Sequence, residues 1–413
     1  MSDVERIVIV GASLAGAKAA ETLRSEGFAG EVVLIGTEPE LPYERPPLSK
    51  DVLLGKKEPV TAQVHDQQWY DDNNVDLRLG TTVSAIDPAG HTVTLPDGST
   101  LGYDRLLLAT GSRVRKLDVP GADLGGIRYL RTAAESASLL EALAVKPRVV
   151  VVGAGWIGLE VAAAAREHGC DVTVVEPQKT ALAGVLGEQV GGYYMDLHKR
   201  HGVVFEFETG VEGFTGADGR VNGVQTAKGV VPADLVVVGV GVQPNVELAQ
   251  AAGIEVATPD NGGGIVTGAD LKTSAPDVYA AGDVVRWSHP SLGRPIRVEH
   301  WSNAKDSGAV AAKAMFGREV SHDSVPYFFT DMYDLGMEYV GDVPRGASYH
   351  VVVRGEPATN EYQAFWLDDA DHVLAAMHVN VWDSTDALRK LVASDAPVDP
   401  AKLADPSISL DEL

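Results

Sequence analysis

The first hundred residues show a strand, a glycine turn, a helix and a second strand in succession. Residues 6–10 form a continuous β-branched run, and a glycine turn follows at residues 11–16. An alanine-rich stretch then predicts a helix from Ala17 to about Glu26, before a second apolar run at residues 31–35. Runs of this kind are typical of parallel strands that are covered on both faces. The pattern predicts a strand–helix–strand unit.

The same pattern returns in the middle of the chain. The predicted elements there are a strand over 148–152, a glycine turn over 153–158, a helix from Leu159 to about His168 and a strand over 171–175. The chain is therefore predicted to contain two such units.

Two further apolar runs, 103–109 and 233–241, are predicted as strands that each end in a glycine turn. Residues 301–316 are predicted as a helix. From Pro326 onward the pattern changes to short alternating strands, which predicts an antiparallel α+β module. Its predicted strands cover 327–329, 335–340, 349–354, 361–367 and 373–380, with a closing helix over 385–392. The aromatic residues of this module are interpreted as core filling for a small sheet.

A chain of 413 residues is expected to form two or three domains. The predicted fold class is α/β, with two Rossmann-like dinucleotide-binding domains followed by a small α+β C-terminal domain. The first domain is predicted to be discontinuous, formed by 1–113 and 244–324. The second is predicted over 114–243 and the third over 325–413.

Composition narrows the possible partners and the compartment. The formal net charge of −24 repels phosphate backbones, which argues against nucleic acid as a partner. A single Cys170 excludes a disulfide framework within the chain and predicts a reducing cytoplasm. The N-terminal residues do not resemble a secretory signal, and no apolar run predicts a membrane helix.

The second glycine turn fits the pattern G-x-G-x-x-G through Gly153, Gly155 and Gly158. Such a turn aims backbone N–H groups and the positive end of a helix at one point, which suits a pyrophosphate. Glu176 stands at the end of the next strand, where a carboxylate can bind a ribose 2′-hydroxyl. The sequence therefore predicts NADH rather than NADPH here.

The first turn departs from this pattern because Ser13 replaces the middle glycine. Gly36 stands where Glu176 stands in the second unit, so the ribose carboxylate is predicted to be Glu38. A nucleophile elbow, G-x-S-x-G, is rejected because Ala15 takes its last position and no oxyanion segment occurs.

Two such units predict two dinucleotides, and FAD is the simplest ligand for the first. Gly282 and Asp283 follow a predicted strand, in a position suited to a ribityl chain. The helix that starts at Trp301 would aim its positive end at the flavin pyrimidine.

Several longer strings support this interpretation. They are residues 8–11 (VIVG), 42–50 (PYERPPLSK), 109–111 (ATG), 153–160 (GAGWIGLE), 281–283 (AGD) and 299–304 (EHWSNA). The set, in this order, resembles the ferredoxin reductases of bacterial oxygenase systems. The resemblance implies a glutathione-reductase-like fold, non-covalent FAD and NADH as substrate.

The resemblance also implies site residues. Family FAD contacts fall on Ala15, Glu38, Arg45, Lys50, Val83, Arg131, Asp283 and Trp301, with Thr37 as the alternative to Glu38 at the ribose. Lys50 and Glu160 correspond to residues beside the flavin and nicotinamide rings and are the predicted catalytic pair. The predicted site is completed by Gly11, Ser13, Leu14, Gly16, Ala109, Thr110, Gly111 and Gly282 for FAD, and by Gly153, Gly155, Ile157, Gly158, Glu160, Glu176 and Gly241 for NADH.

Residues 41–50 contain no cysteine, so the flavin is expected to be the last redox centre of the chain. Electrons would then leave singly to a ferredoxin-type iron–sulfur carrier, docked on a local basic patch. The candidates for that patch are Arg294 and Arg297, with Lys56 and Lys57. A rubredoxin reductase and an NADH-binding flavoprotein with a signalling role stay open as alternatives. No metal site is predicted, because His198 and His201 lack an H-E-x-x-H frame.

Overall fold

The computed structural model describes residues 4–394 and 396–413. Over these residues the α-helices are α1 (Leu14–Ser25), α2 (Gln67–Asp72), α3 (Ala133–Leu143), α4 (Trp156–Glu167), α5 (Ala183–Arg200), α6 (Glu247–Ala251), α7 (Trp301–Met315), α8 (Thr385–Ala393) and α9 (Pro400–Ala404). Short 3-10 helices cover Pro46–Ser49, Pro59–Ala62, Pro259–Asn261, Gly282–Val284, Pro357–Thr359 and Leu410–Glu412.

The strands of the same residues are β1 (Arg6–Val10), β2 (Glu31–Ile35), β3 (Val75–Arg78), β4 (Ala85–Asp87), β5 (Thr92–Thr94), β6 (Thr100–Gly102), β7 (Arg105–Leu108), β8 (Ser112–Val114), β9 (Ile127–Arg128), β10 (Arg148–Val152), β11 (Asp171–Glu176), β12 (Val204–Phe207), β13 (Val211–Ala217), β14 (Arg220–Thr226), β15 (Gly229–Pro232), β16 (Leu235–Val238), β17 (Val242–Pro244), β18 (Ile265–Thr267), β19 (Val278–Ala280), β20 (Val285–His289), β21 (Arg294–Ile296), β22 (Tyr327–Met332), β23 (Leu335–Gly341), β24 (His350–Glu356), β25 (Glu361–Leu367) and β26 (Val373–Val379).

The chain divides into two compact units. Unit 1 is formed by residues 4–44, Val60–Arg113 and Val242–Pro326. Unit 2 is formed by Arg45–Pro59, Val114–Gly241 and Tyr327–Leu413. The three predicted domains, and the dinucleotides assigned to the first two, stay predictions.

Unit 2 includes Arg45–Pro59, which the sequence analysis placed in the first domain. Hydrogen bonds hold this segment there. The Ser136 hydroxyl donates to the Leu48 carbonyl at 2.7 Å, and the His168 ring lies 2.9 Å from the Leu53 carbonyl. Leu53 is also buried in the hydrophobic core of unit 2.

Unit 1 is built on a parallel five-stranded sheet with the order β19-β7-β1-β2-β3. The central strand β1 is buried from Ile7 to Val10, as expected for a strand with both faces covered. Helices α1 and α7 pack closely, because a Cβ on Gly308 of α7 would lie only 2.4 Å from the carbonyl oxygen of Ala15. Only glycine permits this approach.

Unit 2 contains a second parallel sheet with the order β12-β11-β10-β16-β9. The antiparallel sheet β22-β23-β26-β25-β24 follows in sequence, and α8 packs on β26 and β23. The two sheets share one hydrophobic core, in which Val151 and Leu159 belong to the same cluster as Met337 and Trp366. The aromatic residues of the antiparallel sheet largely fill this core, and Trp382, more than half exposed, is an exception.

The observed elements confirm the predicted α/β class and follow the predicted strands closely. Other strands, among them β3 and β13 to β15, were not predicted. A further difference is that α1 begins at Leu14 and α4 at Trp156, three residues earlier than predicted in each unit. The last glycine of each turn therefore lies inside the helix. The prediction placed these glycines in the turns. In the structure a Cβ on Gly16 would lie 2.0 Å from the Gly11 carbonyl oxygen, and a Cβ on Gly158 would lie 2.1 Å from that of Gly153, so the first helical turn needs glycine at both positions.

Candidate functional site

The first glycine turn leaves the start of a helix open. Strand β1 ends at Val10, and Ser13 precedes α1 in an extended conformation without a side-chain cap on the helix. By contrast, the Asp66 carboxylate caps α2 and the Thr132 hydroxyl caps α3. An uncapped first turn offers its N–H groups and its positive end to an anion. The turn therefore fits a dinucleotide pyrophosphate.

The second glycine turn has the same form. Gly155 precedes α4 without a side-chain cap, and a Cβ placed on it would meet no atom within 4 Å. A ligand can therefore come close to the protein backbone at Gly155. The side chain of Ile157, one residue into the helix, is 43% exposed. This turn also fits a pyrophosphate.

The Glu176 carboxylate lies beside the second turn, at the end of β11. Its Oε2 accepts a hydrogen bond from the Ala154 N–H at 2.7 Å, and its Oε1 accepts one from the Gln178 N–H at 2.9 Å. These bonds fix an anionic group at the carboxyl end of the sheet, next to the open helix end. This is the position in which a dinucleotide ribose is bound in such folds.

Unit 1 brings the predicted residues Ala15 and Gly282 together. A Cβ on Gly282, whose φ is +78°, would lie 3.1 Å from the Cβ of Ala15. The Ser307 hydroxyl of α7 accepts a hydrogen bond from the Gly282 N–H at 2.9 Å. Asp283 follows within the same 3-10 turn. The first glycine turn and the Gly282–Asp283 turn therefore share one part of the unit.

Asn303 organises this part of the unit, and the sequence analysis assigned it no role. Its buried amide nitrogen donates to the Val298 carbonyl at 2.8 Å and to the Gly282 carbonyl at 3.4 Å. Its amide oxygen lies 2.9 Å from Nε2 of the buried His322. Since a buried amide needs such partners, this network fixes the Gly282 turn. The string EHWSNA was a signal for Asn303, although it did not reveal the function of the amide.

Asn245 was also missed, and it holds the turn after β7. Its side-chain nitrogen donates to the Thr110 carbonyl, and the Thr110 hydroxyl donates to the Asn245 carbonyl, both at 2.8 Å. The Asn245 N–H donates to the Gly111 carbonyl at 2.9 Å. The predicted residues Ala109, Thr110 and Gly111 are therefore fixed by a residue distant in sequence.

The other predicted FAD contacts of unit 1 are placed as follows. The Tyr43 hydroxyl donates to the Glu38 carboxylate, and the Thr82 hydroxyl donates to that of the exposed Thr37 at 3.0 Å. Val83 is buried. Trp301 begins α7, with the Lys305 ammonium 4.4 Å from the centre of its ring. Glu38 stays the predicted ribose ligand, with Thr37 as the alternative.

The remaining predicted FAD contacts, Arg45, Lys50 and Arg131, belong to unit 2. The Arg45 guanidinium donates to the Arg131 carbonyl at 2.5 Å. Gly241, predicted at the NADH site, has φ +94° and accepts the Arg115 N–H at 2.9 Å. The predicted FAD set is thus divided between the two compact units.

Glu160 and Lys50 form a buried ion pair in unit 2. The Lys50 ammonium lies 2.7 Å from Glu160 Oε1, and the Glu160 side chain is only 4% exposed. The Thr330 hydroxyl also donates to Oε1, at 2.5 Å, and the Ser49 hydroxyl donates to Oε2. A buried carboxylate is costly unless it is paired and hydrogen-bonded. Ser49 and Thr330, which the sequence analysis did not assign, provide this compensation.

Comparison with known proteins agrees with this geometry. Residues 5–308 match the pyridine nucleotide-disulphide oxidoreductase family, and residues 327–413 match the reductase C-terminal family. The chain belongs to the pyridine nucleotide-disulphide oxidoreductases.

Individual relatives of this oxidoreductase match over nearly its whole length. It is 44% identical, over 98% of both chains, to the ferredoxin–NAD(+) reductase component of the anthranilate 1,2-dioxygenase system of Burkholderia cepacia. It is 40% identical to rhodocoxin reductase of Rhodococcus erythropolis, over 98% of this chain and 93% of that one. The crystal structure of the covalent putidaredoxin reductase–putidaredoxin complex matches with a TM-score of 0.94 and 35% identity, covering 100% of this chain and 98% of that chain.

The one cysteine of this oxidoreductase lies in the core. Cys170 is fully buried, its sulfur lies 3.7 Å from the Leu143 carbonyl, and burial raises the pKa of its thiol. Such an environment is typical of a small apolar residue rather than of a reactive thiolate.

The histidine pair weighed as a metal site includes a buried residue, His198. Burial lowers the pKa of His198 to about 3. In the part of the chain that is described, no group of three His, Cys, Asp or Glu side chains is arranged to hold a metal. None of the helices in these same ranges combines the length and the apolar character required to cross a membrane.

The arginines predicted as a docking patch have different environments. The Arg297 guanidinium donates to the carbonyls of Gly262 at 2.7 Å and Asp283 at 3.1 Å, and it pairs with Glu299. Arg297 is therefore anchored beside the Asp283 turn, which makes it a structural residue of this turn. Burial lowers the pKa of Arg286, and the neighbouring charges of Arg297 and Arg294 lower it further.

The predicted lysines are both paired. Lys56 lies 3.4 Å from Glu167, and Lys57 lies 2.7 Å from Asp51.

The buried His322 predicts a pH dependence of stability. Burial lowers its pKa from 6.5 to about 4, so between these values the unfolded chain binds more protons than the folded one. Stability is therefore lost as the pH falls through this window, by on the order of 3 kcal/mol for His322 alone. We expect His322→Gln, which retains a donor for Asn303, to flatten this dependence in denaturant unfolding from pH 7 to pH 4. An identical pH dependence in both proteins would contradict this assignment.

Proposed function

We propose that this chain passes electrons from NADH through FAD to a small iron–sulfur ferredoxin that serves an oxygenase. The observation that carries the proposal is the presence of two uncapped glycine turns on two parallel sheets, with Glu176 fixed beside the second. The names of its relatives, ferredoxin–NAD(+) reductases and electron-carrier reductases, support the same activity.

The first turn, with Ala15, Gly282 and Asp283, holds FAD in this proposal, and the second, with Gly155 and Glu176, holds NADH. The domain division proposed for these ligands is the predicted one: 1–113 with 244–324 for FAD, 114–243 for NADH and 325–413 as a C-terminal interface domain. FAD supplies, when bound, chemistry that accepts an electron pair together and releases it one electron at a time. One NADH thus reduces two one-electron ferredoxins, with NAD⁺ and one proton as the other products.

Lys50 and Glu160 are proposed to lie beside the reacting rings. Their ion pair keeps a positive and a negative group fixed in a buried environment, where electrostatic interactions are stronger than in water. Such a preorganised pair can orient the polar groups of a bound nicotinamide without reorganising during the reaction.

The acceptor is proposed to be an external carrier. Cys170 is buried and the chain contains no second cysteine, so no dithiol within it can take electrons from the flavin. A buried reduced thiol is also consistent with a cytoplasmic location, which forms part of the proposal.

A stopped-flow experiment on the purified holoprotein tests the function. NADH should bleach the flavin absorbance rapidly, and oxidised ferredoxin should then restore it, with two ferredoxins reduced per NADH. A panel of carriers that includes rubredoxin identifies the acceptor. A stable charge-transfer complex that no carrier reoxidises would instead support the signalling alternative.

The ribose assignment predicts the effect of Glu176→Arg. A 2′-phosphate meets Glu176 as a like charge, whereas an arginine offers it a guanidinium. We expect this change to lower the ratio of kcat/KM for NADH to that for NADPH by about tenfold or more. Glu176→Gln is the control, because it removes the charge but adds no cation. A wild-type preference for NADPH would show the ribose assignment to be wrong.

Charge reversal at Arg294 tests the predicted docking patch, because the same change at Arg297 would also disturb the Asp283 turn to which that residue is anchored. We expect Arg294→Glu to raise the apparent KM for ferredoxin several-fold at low salt, and less at high salt, while NADH-to-ferricyanide turnover is retained. Lys402→Glu, at an exposed position of α9, controls for net charge. Equal losses in the ferredoxin and ferricyanide assays would contradict a docking role.

A further inference from the structure

The buried carboxylate of Glu160 receives three donors from two other segments of unit 2. Glu160 itself lies on α4, Ser49 and Lys50 lie in and just after the 3-10 turn Pro46–Ser49, and Thr330 lies on β22. Lys50 and Thr330 both contact Oε1, and Ser49 contacts Oε2. The orientation of the carboxylate is therefore set by all three.

Glu160 lies in a region that contains other carboxylates. The pKa of Asp331 is raised, first by burial and further by the charges of Glu160, Asp51 and Glu338, while Lys50 lowers it. Neutral hydroxyl donors can hold Glu160 in place without adding a competing charge.

Thr330 is well suited to this function. Its side chain is 1% exposed, and its residue pairs with Met337 in the antiparallel ladder of β22 and β23. The strand fixes the backbone, and a β-branched side chain has few rotamers, so the hydroxyl is held in one place. The Thr330 hydroxyl donates to Glu160 Oε1 from this fixed position.

We propose that Thr330 is a positioning residue for hydride transfer from NADH. Its hydroxyl, together with that of Ser49, holds Glu160 in the rotamer that presents the Lys50 ammonium to the reacting rings. The C-terminal module then takes part in the chemical step in addition to any docking function. This inference rests on the proposed function, in which Lys50 and Glu160 lie beside those rings.

The test compares Thr330→Val, which removes the hydroxyl but keeps the shape, with Thr330→Ser, which keeps the hydroxyl. We expect the Val variant to reduce its flavin on the order of tenfold more slowly at saturating NADH, the loss expected for one hydrogen bond to a charged group. The NADH dissociation constant should change little, and the isotope effect with NADH deuterated at the transferred position should increase. Thr330→Ser should recover most of the rate.

Thr385→Val is the matched control. The Thr385 hydroxyl also donates to a glutamate of the C-terminal module, Glu338, which makes no contact with Glu160 among the described hydrogen bonds. We expect this variant to lose stability without losing the rate of flavin reduction. If Thr385→Val slowed flavin reduction as much as Thr330→Val does, the cause would be a general loss of packing in the C-terminal module, and the inference would be overturned.

Two further outcomes are separable. If Thr330→Val does not retain flavin, Ser49→Ala tests the same positioning, because it removes the other hydroxyl donor to Glu160. A normal rate of flavin reduction in Thr330→Val, or in Ser49→Ala, would overturn the inference. If NADH fails to reduce the flavin of the wild-type protein, the proposed function fails instead.

Discussion

A helix whose first N–H groups meet no side-chain oxygen has an unbalanced positive end, and this chain places two such ends directly after buried parallel strands. Side-chain caps on α2 and α3 show that the sequence can close a helix where no ligand is needed. The open ends can bind an anion, and the glycine turns allow that anion to approach the protein backbone. The proposed functions of the two parallel sheets, and of Glu176 beside the second turn, depend on this property.

Buried polar side chains then fix the turns that surround these open ends. Asn303 joins the Gly282 turn to His322, and Asn245 joins the Thr110–Gly111 turn to a distant part of unit 1. Because an unsatisfied buried amide is costly, each network specifies one arrangement of the loops that it connects.

The Glu160 cluster applies the same principle to a charged group. A lysine and two hydroxyls, drawn from segments far apart in sequence, compensate one carboxylate that is almost completely buried. The cost of burying this charge is offset only when all three segments are in place. The antiparallel module is thus tied to the dinucleotide-binding part of unit 2 by an interaction at the proposed site of chemistry.

The pattern of apolar runs and glycines in the sequence was sufficient for the α/β class, for most strands of the three five-stranded sheets and for the two glycine turns, because these depend on local periodicity and on backbone geometry. The Lys50–Glu160 pair could be singled out only through a family resemblance, since neither residue differs locally from a surface charge. Tertiary structure alone decided the hydrogen-bond partners of Ser49, Thr330, Asn245 and Asn303, because a hydroxyl or an amide acquires its partner only when distant segments meet. It also decided that Arg297 is an anchor of the Asp283 turn, since the carbonyl oxygens that bind its guanidinium are brought together by folding.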